Sequence, residues 1–256
     1  ANRVGIYGML ATIKEAETFG LGFDVVDDLT GAKLGRAKSG TFRTADVVGL
    51  DTMGHVIKTM QDNLPDDPFA SLYETPAVLT ALIEKGALGQ KTGAGFYKKE
   101  GKAILRLDPA KGEYVPAGEK AAETVARILK KKTWPERIKL LRESDNPQAQ
   151  FLWAVMRDGM QYAAIKLAEV ADNARDLDMA LRFGFGWKEG PFDRRNLPTL
   201  RLKLIPTPPE GIQLQAIQPV DVAYAAPALA SRFRAILVIC GDRMIAEIGK
   251  VTNTDE

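Results

Sequence analysis

Apolar positions along the first two hundred residues recur mostly at helical intervals, broken by residues that start and stop helices. Val4, Ile6, Met9, Leu10, Ile13 and Ala16 predict a helix reaching about Phe19. A second, from Phe23 to about Leu34, is expected to end at Gly35 in a left-handed cap. Thr44 is placed to cap a third that carries Val47, Val48, Leu50, Val56, Ile57 and Met60. Thr75-Pro76 reads as a cap and first-turn proline ahead of Val78, Leu79, Leu82 and Ile83, with Gly86 just past the end. From Gly101 to Pro116 the pattern changes. Ile104, Leu105, Leu107, Tyr114 and Val115 flank Asp108-Pro109-Ala110-Lys111-Gly112, which predicts a small hairpin or connector. Helices are expected again from Glu119 to about Lys131, Pro135 to about Arg142, and Pro147 to about Val170, the last capped by Asn146. A short one, Asp176 to Phe183, should stop at Gly184. After Asp193, prolines at 198, 206, 208, 209, 219 and 227 break up any long element. The pattern as a whole predicts an all-α fold with a hairpin-like connector.

Composition narrows the function classes more than the fold. With 256 residues, 45% apolar and 27% charged, the chain can bury a full core. Its net charge of +2 provides no long-range field for nucleic acid or an acidic membrane, so neither is an expected partner. Lys130-Lys131-Lys132 reads as a solvated helix end, where cations are favoured. The single cysteine, Cys240, excludes an intrachain disulfide framework, and a cytoplasmic location is the expectation. The longest apolar run, Ala235 to Cys240, is far short of the ~20 residues of a membrane helix. A start at Ala1-Asn2-Arg3, with no signal-peptide architecture, suggests a piece of something longer.

Set against itself, the chain shows a short internal match. Asp28 is followed 12 residues later by Gly40 and 14 later by Phe42, and Asp178 by Gly190 and Phe192 at the same offsets. A helix, a loop and a closing Gly-x-Phe in both places suggest an old duplication. The same segments carry a resemblance. Asn2-Arg3, Gly40-Thr41-Phe42, Val48-Gly49-Leu50-Asp51 and the string from Gly89 to Tyr97 (GQKTGAGFY) resemble, in order and spacing, the C-terminal domain of 3-hydroxyacyl-CoA dehydrogenases. Phe185 to Phe192 (FGWKEGPF) resembles the same loop in the second, degenerate copy of multifunctional β-oxidation proteins. The order of units is similar to the long bacterial type that is fused to an enoyl-CoA hydratase-like domain. The resemblance implies a duplicated helical domain similar to the C-terminal domain of 6-phosphogluconate dehydrogenase. It divides the chain into a first copy at 1–100, a connector and second copy at 101–193, and an unassigned tail at 194–256.

What the resemblance implies about chemistry is oxidation of the 3-hydroxyl of an acyl-CoA to a ketone, with hydride passing to NAD. The family's catalytic histidine and its partner carboxylate lie in a preceding Rossmann domain, which would bind most of the NAD. The sole histidine, His55, lies mid-helix and off that motif, so it reads as structural or solvent-facing. Asn2 matches the family asparagine that reaches the active site. Its amide offers both donor and acceptor to a substrate thioester or hydroxyl, although a plain helix cap would also suit it. Lys91 matches the family lysine that contacts NAD, or is one more surface lysine. Thr41 and Phe42 sit where the family places a loop near the acyl chain. Ser39-Gly40-Thr41-Phe42 departs from the usual Met-Gly-Pro-Phe, however, and Phe42 reads equally well as a core aromatic.

Other glycine-rich strings do not qualify as phosphate sites. Gly184 to Gly190 has an extra residue before its last glycine and follows a helix, whereas a dinucleotide fingerprint links a strand to a helix. Gly86 to Thr92 has Gln90 where a phosphate loop requires glycine. Scattered carboxylates with one histidine and one cysteine suggest no metal site. The expectation is therefore the C-terminal portion of a β-oxidation dehydrogenase, inactive alone, whose partners are acyl-CoA, its own Rossmann domain and a second copy in a homodimer. The alternative is a non-catalytic dimerisation or scaffold module of the same family. Beyond Asp193 the resemblance stops, which suggests a divergent end or a change of reading frame.

Overall fold

The computed structural model describes residues 1–192 together with the backbone of three strands at 200–206, 233–240 and 243–248. The helices are α1 (Asn2–Thr18), α2 (Phe23–Thr30), α3 (Phe42–Val48), α4 (Leu50–Asn63), α5 (Ala77–Glu84), α6 (Glu123–Leu129), α7 (Trp134–Glu143), α8 (Pro147–Val170) and α9 (Ala174–Phe185). Strands β1 (Tyr97–Glu100), β2 (Ala103–Asp108) and β3 (Glu113–Pro116) form an antiparallel meander. A second antiparallel sheet joins β4 (Leu200–Pro206), β5 (Phe233–Cys240) and β6 (Arg243–Ile248) in that order. The expected all-α class is thus corrected to a mostly helical chain carrying two small sheets. The hairpin expected between Gly101 and Pro116 is there as β2 and β3, and β1, just before that segment, adds a third strand that Tyr-Lys-Lys-Glu has no alternation to announce.

Four other expectations change for local physical reasons. The expected third helix is two, since Gly49 takes φ +102, a backbone that side-chain-bearing residues rarely adopt, and the Leu50 N–H turns to the Leu88 carbonyl at 3.2 Å. Thr44 lies inside α3, and its hydroxyl donates to the Gly40 carbonyl at 2.6 Å instead of capping. Pro76, not Thr75, holds the cap position of α5, and its carbonyl accepts from the Leu79 and Thr80 N–H groups. The last helix starts at Ala174, where Asn173 accepts from the Asp176 N–H at 3.0 Å, and it runs through Gly184 to a left-handed stop at Gly186. Gly35 and Asn146 act as expected. Gly35 ends a short 3-10 turn in the left-handed region, and the Asn146 side chain accepts from the Gln148 N–H at 2.9 Å.

One hydrophobic core runs from Val4 to Leu181, so the two units delimited near residue 100 share it. α1 packs along α8 more extensively than any other pair of helices. The buried residues of α1, Val4, Leu10, Ala11 and Ile13, share one core with Ala149, Leu152, Val155, Met156 and Ala163 of α8. Among the described residues no helix is long and apolar enough to cross a membrane.

Three aspartates fasten the loops between these helices. Asp27 Oδ1 accepts from the Thr41 and Phe42 N–H groups at 2.7 Å each, and its Oδ2 accepts from the Arg43 N–H at 3.1 Å and the Tyr97 hydroxyl at 2.8 Å. Gly40 lies so close that a Cβ there would sit 2.5 Å from the Asp27 Cα. Asp46 does the same for Phe96 and Tyr97 at 2.9 Å each, against Gly95. Asp178 accepts from the Phe192 N–H at 3.0 Å, against Gly190. In its hydrogen bonding Asp178 parallels Asp27, one residue before the Asp28 of the sequence match. Asp28 faces outward to Lys33, Lys120 and the Ala121 N–H.

Candidate functional site

The first turn of α1 carries Asn2. Ala1 holds its cap position, no side chain caps it and no acidic residue stands in the turn, so local sequence does little to hold it. Asn2 lies inside the helix, which removes the cap reading. It is exposed, and its amide makes no hydrogen bond among the described residues. The next residue is tied down on several sides. Arg3 Nη2 meets Asp67 Oδ2 at 2.8 Å and Glu169 Oε2 at 2.8 Å, while Nε donates to the Tyr162 hydroxyl at 3.0 Å.

Asp67 is the centre of this network, with its side chain fully buried. Its Oδ1 accepts from the Phe69 N–H at 2.9 Å, and its Oδ2 accepts from the Tyr162 hydroxyl at 3.0 Å. Because Tyr162 spends its one proton on Asp67, the Tyr73 hydroxyl, 2.5 Å away, donates to Tyr162. Lys166, almost fully buried, lies 3.6 Å from Asp67 and 2.8 Å from Glu169. Two cations thus face two carboxylates, the balance that a buried charge cluster requires. Burial works against the Arg3 charge, yet the hydrogen bonds to Asp67 and Tyr162 outweigh it and raise its pKa. Burial likewise works to raise the Asp67 pKa, and the Arg3 bond and the Phe69 N–H reverse it, so the carboxylate is held below its usual range. Tyr7 stacks on Tyr162 at 3.8 Å between ring centroids, with Phe69 edge-on to both.

Lys91 stands in a 3-10 turn, Gln90–Thr92, apart from this network. Its ammonium reaches both oxygens of Asp51 at 2.6 Å, and the pair is half exposed. That bond holds the Asp51 pKa below its ordinary value. Asp51 lies in the first turn of α4, just after the Gly49 break, so the unusual backbone there sets the carboxylate under the lysine.

Thr41 and Phe42 do not line a surface. Phe42 is fully buried against Phe23 at 4.1 Å and Phe96 at 4.8 Å between centroids, and the buried Thr41 hydroxyl pairs with that of Thr30 at 2.9 Å. The Asp27 clamp turns both side chains inward, so neither is offered at the surface of this structure. His55 is exposed on α4.

Two features escape sequence reasoning. The partners of Arg3 lie 64 and 159 positions away, beyond any local pattern. A groove of about 780 Å³ opens between the far end of α1, α5 and the first sheet, lined by Ile13, Leu21, Phe23, Val78, Leu82 and Tyr114 among others. Ile13 stands about 16 Å along the helix axis from Asn2, so the groove is separate from that turn.

Comparison with known proteins gives the frame for these positions. Residues 1–99 match the family described as "3-hydroxyacyl-CoA dehydrogenase, C-terminal domain". A "Probable 3-hydroxyacyl-CoA dehydrogenase" of Bacillus subtilis is 39% identical over 193 residues, covering 75% of this chain and 24% of that protein. Another of the same description, from Deinococcus radiodurans, is 46% identical over 99 residues, 39% of this chain and 28% of that protein. A "Putative fatty acid oxidation complex trifunctional enzyme" of Rickettsia felis is 27% identical over 200 residues, 75% of this chain and 26% of that protein. The chain therefore spans about a quarter of the length of these relatives. Among solved structures, a 3-hydroxybutyryl-CoA dehydrogenase from Escherichia coli K12 shares the fold, with a TM-score of 0.50 and 17% identity over 74% of this chain and 50% of that one.

Proposed function

Because residues 1–99 belong to the 3-hydroxyacyl-CoA dehydrogenase C-terminal domain family, we propose that this chain is the helical C-terminal portion of an NAD-dependent dehydrogenase of fatty-acid β-oxidation. The reaction converts a 3-hydroxyacyl-CoA to the 3-oxoacyl-CoA. The C3 hydrogen leaves as hydride, the hydroxyl proton goes to a general base, and the base and most of the cofactor site lie in a Rossmann domain outside these residues. The observation that carries the reading is an exposed asparagine amide with no internal partner, on a helix turn that is otherwise anchored. Such an amide can donate to a carbonyl and accept from a hydroxyl without titrating.

NAD, when bound, supplies the hydride acceptor. On this chain the contact would come from Lys91. Two of its three N–H donors go to Asp51, so one remains on a half-exposed ammonium for a polar group of the cofactor. This fits an auxiliary contact better than a primary phosphate site. The duplicated arrangement similar to 6-phosphogluconate dehydrogenase is part of the same proposal, supported by the matching clamps Asp27–Phe42 and Asp178–Phe192. The trifunctional description of the Rickettsia relative supports further activities on a longer parent chain, and a hydratase-like domain is the one expected among them. A cytoplasmic homodimer remains the expected setting.

The test is an assay with NAD and 3-hydroxybutyryl-CoA. The 256-residue chain alone should form no NADH, and the longer protein that places a Rossmann domain before it should do so readily. Turnover by the chain alone would contradict the division of labour proposed here.

A further inference from the structure

The second helical unit has no exposed site residue of its own that the sequence singles out, yet it lies against the turn that carries Asn2. Three contacts from it converge there. Tyr162 and Glu169, both on α8, hold the Arg3 guanidinium. From α9, the Phe185 ring lies directly on Gly5, so that a Cβ at Gly5 would fall 2.1 Å from Cζ of that ring. Gly184, one residue earlier, packs near Ala1, whose Cβ is 3.1 Å from where a Cβ on Gly184 would be. Asp67, from the loop after α4, completes the hold on Arg3.

These contacts matter because the turn lacks ordinary means of support. A helix terminus leaves its first N–H groups unpaired, and an end with no cap frays. The first intrahelical bond of α1 runs from the Gly5 N–H to the Ala1 carbonyl at 2.9 Å, and nothing in the local sequence secures it. A side chain that must meet a reacting group within a few tenths of an ångström cannot stand on a fraying turn, since misplacement by about 1 Å can cost ~10²-fold in rate. The charges in the clamp are also matched so that none is left over: Arg3 and Lys166 against Asp67 and Glu169.

We propose that the second helical unit serves as a clamp that holds the first turn of α1, through Tyr162 and Glu169 of α8 and Phe185 of α9, and that Arg3 and Glu169 are thereby positioning residues for Asn2. The proposal rests on the reading of Asn2 as a substrate-positioning residue and gives the otherwise site-less second copy a part in the reaction. Glu169 is the most informative position, because it is half exposed, lies at the end of α8 and reaches Arg3 from the second unit.

Two readouts test this. The first is amide hydrogen exchange on the 256-residue chain. In Glu169→Gln and Arg3→Ala the Gly5 and Ile6 amides should exchange about tenfold faster, with those of Leu10 to Ile13 unchanged. The second is steady-state kinetics in the longer protein with its Rossmann domain. Glu169→Gln should lower kcat about tenfold and leave the KM for NAD unaltered, Gly5→Ala should do the same by displacing Phe185, and Arg3→Lys should restore most of the activity lost in Arg3→Ala. Unchanged exchange at Gly5 and Ile6 would overturn the clamp. Faster exchange with undiminished kcat would overturn its role in positioning, provided that Asn2→Ala is slow. If Asn2→Ala itself turns over normally, the underlying reading fails and positioning fails with it, even where the exchange data show the clamp.

Discussion

Asp27 and Asp46 are buried carboxyls that each fasten a Gly-Phe or Gly-Thr-Phe turn through backbone N–H groups. The donors favour the ionised form, burial opposes it, and burial prevails, pushing each carboxyl up to about 6. An acid whose folded pKa is raised gives stability that is fully present below its unfolded pKa and is lost as pH rises through the folded value. For Asp27 the window runs from about 4 to about 6, and the change is on the order of 3 kcal/mol. Carbon-detected NMR titration of the two side-chain carboxyls should give midpoints near 6, and midpoints at or below 4 would mean that the N–H donors dominate. Asp67 and Asp51, held low by Arg3 and Lys91, should stay ionised throughout that window. Resemblance located Asn2 and Lys91 in the sequence, but it could not say which way Thr41 and Phe42 point. Their direction depends on Asp27 and Tyr97, residues brought to them by the fold.

At the scale of elements, helices were legible wherever apolar spacing and a real cap agreed. Asn146 is such a case, whereas Thr75 has the right residue type and makes no capping bond. Unfolding in urea should separate the two: Asn146→Ala is expected to lose about 1 kcal/mol, and Thr75→Ala to change stability by no more than about 0.5 kcal/mol. Equal losses would mean that the cap at Asn146 carries no special weight. The division of α3 from α4 was not legible. It is fixed by a tertiary bond from Leu50 N–H to the Leu88 carbonyl and by the φ of Gly49, and neither has a signature in the hydrophobic period. Strand β1 was hidden for the same reason, since its pairing with β2 defines it more than its residues do.

For the molecule as a whole, the shared core decides how the segments before and after residue 100 are understood. Sequence resemblance separates them near residue 100, while among the described residues α1 packs along α8 and one hydrophobic core joins both sides. The network around Asp67 crosses the same boundary, joining Arg3, Tyr73, Tyr162 and Lys166. The turn that carries Asn2 is therefore contacted from both sides of that boundary. Comparing Asn2→Ala with the unaltered protein tests that account most directly, by measuring NADH formation from 3-hydroxybutyryl-CoA in the longer protein that carries the Rossmann domain, with melting temperature followed alongside. The account predicts a fall in kcat of about 10²-fold with melting temperature shifted by no more than about 2 °C. Unchanged turnover, or a loss of activity matched by a loss of stability, would contradict it.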